Sequence, residues 1–130
     1  MAKVDAKRLL AEIGPSFVAE LDGEKAVRFN ARTMLIPSPA DVEAAIRAIP
    51  MGSAKTIRQV RAEMAANAGA DVTCPFAANR NWRLLAQLAE EDGDATFPWW
   101  RVTREHKPNP TLPGGEEAHR NRLKQEGIQI

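Results

Sequence analysis

The chain has 130 residues, 44% of them hydrophobic and 27% charged, with a formal net charge of +1. That length holds one domain with a core of its own, and the near-neutral balance excludes bulk attraction to a polyanion, so any nucleic-acid face needs its basic residues gathered on one side. No apolar run approaches the roughly 18 residues of a membrane span; residues 1–8 mix both charges and lead into no signal-type apolar core, and a single cysteine without a targeting signal makes a reducing cytoplasm the expected location.

Residues 5–13 predict a short helix, ended by Gly14-Pro15. Within 24–36, Ala26-Val27-Arg28-Phe29 and Thr33-Met34-Leu35-Ile36 read as two short strands around Asn30-Ala31-Arg32, in hairpin form. Ser38 before Pro39, with Asp41 in the first turn, signals a capped helix start. Val42, Ala45, Ile46 and Ile49 then share one helical face, and Pro50 and Gly52 stop it. Thr56-Ile57-Arg58-Gln59 has capping-box spacing, Ile57, Val60, Met64 and Ala68 form the next stripe, and Gly69 suits a C′ position. Thr73-Cys74-Pro75 opens a third helix that runs to about Glu91, with Gly93 behind it and Ala78, Trp82, Leu85 and Ala89 on its core face. Residues 97–103 read as a strand, 107–115 as a Pro/Gly-rich loop or wing, and 116–125 as a polar helix stopped by Gly127.

The fold class expected is mainly α with some β (α+β). Three short helices, a strand, a loop and a last helix over 37–130 suit a winged helix-turn-helix-like domain, with 69–73 as the turn and the third helix as the recognition helix. Residues 1–36 would be a short N-terminal extension. A plain helical bundle gives much the same periodicity.

Asn79, Arg80, Arg83 and Gln87 lie opposite the Ala78/Trp82/Leu85 stripe. On a recognition helix that face offers forked donors to phosphates and base edges; on an ordinary amphipathic helix it is the solvated side. Arg101, Arg104 and Lys107 cluster near the wing, and Arg120, Arg122 and Lys124 on the last helix, compatible with a few phosphate contacts or with an ordinary surface. The acidic run Glu90-Glu91-Asp92-Gly93-Asp94 must point away from DNA if DNA is bound. Trp99 and Trp100, alternating along a strand, would face in opposite directions, and two packing aromatics, the inward one in the core, are the plain reading of the pair.

Pro98-Trp99-Trp100-Arg101-Val102, then Gly114-Gly115, then Glu126-Gly127-Ile128 stand in an order that resembles the active-site region of O6-alkylguanine-DNA alkyltransferases. Ile49-Pro50-Met51-Gly52 with Thr56 resembles the opening of their helix-turn-helix, so the likeness covers roughly 42–128. In that family a Pro-Cys-His-Arg-Val run carries the alkyl-accepting thiol. Trp99 stands at the Cys position and Trp100 at the His position, and an indole is no nucleophile. The resemblance therefore implies a non-enzymatic DNA-binding scaffold like the alkyltransferase-like proteins, in which Trp99 and Trp100 would line a pocket for a flipped alkylated base and double-stranded DNA is the partner. The family's Tyr after the Thr and its Arg-Ala-Val-Gly run are absent here, and 69–75 has no counterpart in it, which suggests a separate branch.

Two other classes stay open. One is an interaction or structural module that keeps the fold without DNA binding. The other is an enzyme using Cys74, whose place at a helix start lowers a thiol pKa in principle; no His lies near it in sequence, and a free Cys at a helix cap is usually a small buried residue. One Cys and two His at distant positions give no metal-ligand spacing, Pro113-Gly114-Gly115 lacks the Lys-Ser/Thr of a phosphate loop, and no cofactor is implied.

Overall fold

Local capping chemistry sets most of the helix boundaries. The computed structural model describes residues 4–130; Met1, Ala2 and Lys3, part of the N-terminal segment read above, lie outside them. Asp5 accepts from the Arg8 N–H and starts α1 (Ala6–Glu12). Ser38 accepts from the Asp41 N–H at the head of α3 (Pro39–Arg47), with Pro39 in the first turn. Thr56 and Gln59 form a complete capping box on α4 (Ile57–Ala68). Gly69 and Gly93 take left-handed conformations behind α4 and α5 (Pro75–Asp92), where a side chain would be strained. The last helix, α6, spans Gly115–Gln125.

Two segments depart from the sequence reading. Ala26-Val27-Arg28-Phe29 is not a strand: it lies in α2 (Gly23–Phe29), closed by Asn30 in the left-handed region, whose N–H reaches the Ala26 and Val27 carbonyls. Val27 points to solvent, so the apparent β alternation buries nothing. The strand that pairs with β2 (Thr33–Ile36) is instead β1 (Phe17–Glu20), antiparallel, with Phe17 opposite Ile36 and Glu20 opposite Thr33. Residues 97–103 also fail to form one strand. Trp99–Arg101 is a 3-10 turn, and only Val102–Thr103 (β5) is extended. Both indoles consequently point inward, with Trp99 1% and Trp100 7% exposed, where alternation would have sent one outward.

The result is an α+β fold of helices around two small sheets. In one, β2 lies between β1 and β4 (Val72–Thr73), and the β2–β4 pair is parallel. In the other, β3 (Lys55–Thr56) runs parallel to β5. Residues 6–36 are bound into the rest, since α1 packs on α5 and β2 pairs with a strand from the α4–α5 link. That link is pinned by Asp71, whose carboxylate accepts from the Arg32 and Thr33 N–H groups, while its own N–H donates to Thr33 Oγ1.

The core joins Val42, Ile46 and Ile49 of α3, Ile57, Val60 and Met64 of α4, and Trp82 and Leu85 of α5 to Trp99, Trp100 and Leu123. Ala68, read into the α4 stripe, is exposed in the last turn. Trp82 is fully buried, and its indole N–H donates to the Trp99 carbonyl at 3.0 Å. This bond fixes the 3-10 turn by satisfying a donor that would be costly to bury alone.

Candidate nucleic-acid interface

Arginines from three elements converge on one cleft of about 340 Å³. Arg58 and Arg61 come from α4, three residues apart and therefore on one helical face. Asn79 and Arg83 come from the exposed face of α5, and Arg104 from the residue after β5; Glu105, Asn109 and Thr111 complete the wall with Ile57. Four guanidinium groups face one carboxylate, in a chain whose whole net charge is +1. Burial, with repulsion from Arg58 behind it, lowers the Arg61 pKa from its ordinary value. Arg61 nonetheless stays charged at any physiological pH.

The local backbone explains the far wall. Arg104 and Lys107 exchange both backbone hydrogen bonds, and Glu105 and His106 between them have φ of 50° and 66°. This is the geometry of a two-residue hairpin turn. It sets Glu105 3.6 Å from Arg58, in an exposed ion pair that holds the cleft's one carboxylate only loosely. Asn109 is buried; its Oδ1 accepts from the Thr111 N–H and hydroxyl, and its N–H donates to His119 Nδ1 at 2.9 Å. These bonds fix the Asn109 side chain within its own loop.

Of the residues singled out from the sequence, Asn79, Arg83 and Arg104 meet in this cleft. Arg80 stands beside it, half-buried, with its Nε 3.3 Å from Asn81 Oδ1. Gln87 is drawn aside: it donates to the Val4 carbonyl and to Glu91, in a neighbouring hollow that also includes Arg83. Arg101 is turned inward. Its guanidinium pairs with Glu126 at 2.9 Å and donates to the Ile49 carbonyl, with the two side chains 13% and 9% exposed. It ties the 3-10 turn to the chain end and presents no free donor fork to a phosphate.

The base pocket expected at Trp99 and Trp100 has no open face. Trp99 packs edge-on against Trp100 and His119, with ring centroids 5.6 Å apart in each case. Its N–H reaches Glu90, that of Trp100 reaches Glu126, and Arg122 covers the Trp100 ring at 4.7 Å while pairing with Glu90. A flipped base would have to displace these groups. Arg120 pairs with Glu116 on its own helix.

Cys74 caps α5, half-buried, without a side-chain cap hydrogen bond. Both ring nitrogens of His119 are engaged, by the Asn109 N–H and the Trp100 carbonyl, so it is no base for that thiol. Among the described residues no group of three or more His, Cys, Asp or Glu is arranged to hold a metal, and no helix is long and apolar enough to cross a membrane.

Arg58 and Arg61 are the site residues that sequence reasoning missed. Their spacing on a capped helix was the available signal. Nothing local says that this face of α4 turns toward α5. No protein-family model matches the chain, and no curated protein matches it at a significant level.

Proposed function

We propose that this chain is a non-enzymatic DNA-binding protein, with α4, the link over 69–74 and α5 used as a helix-turn-helix and the 104–107 turn as a small wing. The observation that carries this reading is the charge segregation: Arg58, Arg61, Arg83 and Arg104 share one cleft in a nearly neutral molecule. An elongated polyanion can meet α5 and the turn at once, and its phosphates would compete with Glu105 for Arg58. Asn79 on the same face of α5 is placed to reach a base edge, a residue type suited to adenine. The resemblance to alkyltransferase-like proteins agrees with a DNA partner. The lesion pocket it implies at Trp99 finds no support in the packing, so the reading rests on the arginine cleft.

Fluorescence anisotropy with labelled duplexes, with and without O6-methylguanine, tests it. The wild-type chain is expected to bind both at low salt, with affinity falling steeply as salt rises. Arg61→Gln with Arg83→Gln should lower the slope of log K against log salt by about 2, near 0.9 for each phosphate no longer neutralised. Glu105→Gln should tighten binding. No binding of the wild type to either duplex at low salt removes the proposal.

A second reading, an interaction module, is favoured by one feature. The edge strand β1 exposes Phe17 and Val18 beside an apolar groove that includes Leu35, Ala44, Ala48 and Met64. A chain that self-associates through this groove and ignores DNA would fit it.

A further inference from the structure

The exposed face of α5 carries one residue that the arginine cleft does not explain. Phe76 is 67% exposed in the first turn of the helix. Ala77, Ala78, Asn81 and Trp82 on the inner faces of the same helix are all buried. Phe76, Asn79, Arg80 and Arg83 follow the i, i+3, i+4, i+7 spacing and so make one stripe. Neighbours in such a stripe stand about 5–6 Å apart at Cβ, and Arg83 is two turns, about 10.5 Å, along the axis from Phe76.

The surroundings fit a planar, uncharged group attached to a phosphate chain. Asn79, one turn beyond Phe76, lines the arginine cleft. Pro75, just before it, lines an adjoining hollow of about 230 Å³ that shares Arg58 and Arg61 with the cleft and is also lined by Asp71 and the half-buried ring of Phe29. Phe76 itself lines neither space; it stands on the helix between Pro75, which borders one, and Asn79, which borders the other. A free apolar ring flanked by phosphate-binding donors is the pattern of a stacking platform, in which cations hold the backbone and the ring takes a base.

We infer that Phe76 is a base-stacking residue, taking an unpaired nucleobase of DNA whose backbone lies in the arginine cleft. This rests on the DNA-binding reading of that cleft and narrows it to DNA with a disrupted base step. Fully paired B-form DNA would meet the arginines but offer Phe76 no exposed π-face, unless the protein first unstacked a step at its own cost.

The test is an anisotropy titration of the full chain against two labelled duplexes of the same sequence, one fully paired and one with a single bulged adenine. The wild type should prefer the bulged duplex by about fivefold or more. Phe76→Ala should weaken bulge binding by about 5- to 150-fold, the range that removal of a base–aromatic stack spans, and leave the paired duplex within about twofold. Phe76→Trp should keep the preference and Phe76→Leu should lose it, separating stacking from mere apolar contact. Because the side chain is exposed, these variants should melt with the wild type, as substitutions away from the core usually do. A Phe76→Ala variant that binds the bulged duplex as tightly as the wild type, or loses both duplexes alike, overturns the assignment. So does a Phe76→Leu variant with full preference. If Arg83→Gln abolishes binding while Phe76→Ala changes nothing, the stacking role alone fails. If the wild type binds neither duplex, the cleft reading fails and takes this inference with it.

Discussion

Glu126 sits four residues from the end of the described chain, yet its loss should cost more than that of any exposed ion pair. Its carboxylate accepts from Arg101 Nε and Nη2 at 2.9–3.2 Å, from Trp100 Nε1 at 2.8 Å and from the Gly52 N–H at 3.1 Å. Glu126→Ala strands the part-buried Trp100 and Arg101 donors, leaves the exposed Gly52 N–H to water, and leaves Arg101, 13% exposed, with only the Ile49 carbonyl. Breaking a buried pair by removing one partner costs about 3–5 kcal/mol. Water can still reach a fringe of both side chains, which argues for the lower end, about 3 kcal/mol. For a chain of this size that lowers Tm by roughly 10–15 °C. Urea unfolding followed by the emission of the three tryptophans gives the free energy directly, and a double-mutant cycle with Arg101→Met isolates the pair. A loss under about 1 kcal/mol, the level of a surface pair, would refute the view that this contact clamps the 3-10 turn. The pH dependence gives a second check. Burial alone would raise the Glu126 pKa, but the hydrogen bonds from Arg101, Trp100 and Gly52 outweigh it and hold the carboxyl below the ordinary 4.5. A depressed folded value means that the stabilisation is complete above pH 4.5 and is lost as pH falls through that lower value. Glu126→Gln should remove this part of the acid transition.

His119 should add a separate pH dependence nearer neutrality. Burial pushes its pKa below 6.5, against weaker opposing hydrogen bonds to the Trp100 and Val102 carbonyls, so stability is complete above pH 6.5 and declines as pH falls toward the folded value. Urea midpoints between pH 7.5 and pH 5 should show this slope in the wild type and lose it in His119→Gln; parallel slopes would exclude His119 as its source. Gly114→Ala should destabilise more than Gly115→Ala. Both glycines have positive φ, at 77° and 74°, but only at Gly114 would the new Cβ also meet Ala118 Cβ, at 2.5 Å. Thermal melts should put Gly115→Ala near 1 kcal/mol and Gly114→Ala clearly beyond it; equal losses would mean that the contact relaxes freely.

What could be read from the sequence follows how local each signal is. Ser38, Thr56 with Gln59, Gly69 and Gly93 act within one helical turn, and each marks its boundary where expected. The segment Ala26-Val27-Arg28-Phe29 is four residues long, too short for periodicity to separate strand from helix. Its helical state depends on Asn30 closing the turn behind it. The 3-10 turn at Trp99 answers to a donor 17 residues earlier, the Trp82 indole, and no local pattern reports such a dependence. In the site, Asn79, Arg83 and Arg104 were visible as polar residues on exposed segments. The inward turn of Arg101 depends on Glu126, 25 residues on, and the arrival of Arg58 and Arg61 depends on how α4 packs on α5.

Long-range contacts also tie the two walls of the cleft together. Asn109, in the cleft wall, is fixed through its N–H to His119 Nδ1, and His119 Nε2 is fixed to the Trp100 carbonyl. Trp100 is in turn held by Glu126, and the neighbouring Trp99 carbonyl by Trp82 on α5, the helix that presents Asn79 and Arg83. The two walls of the cleft are thus joined behind it by one chain of hydrogen bonds through the tryptophan cluster. Trp99 and Trp100 are both packed and hydrogen-bonded within this network. Together these contacts hold the loop around Asn109 against α5, the helix that presents Asn79 and Arg83.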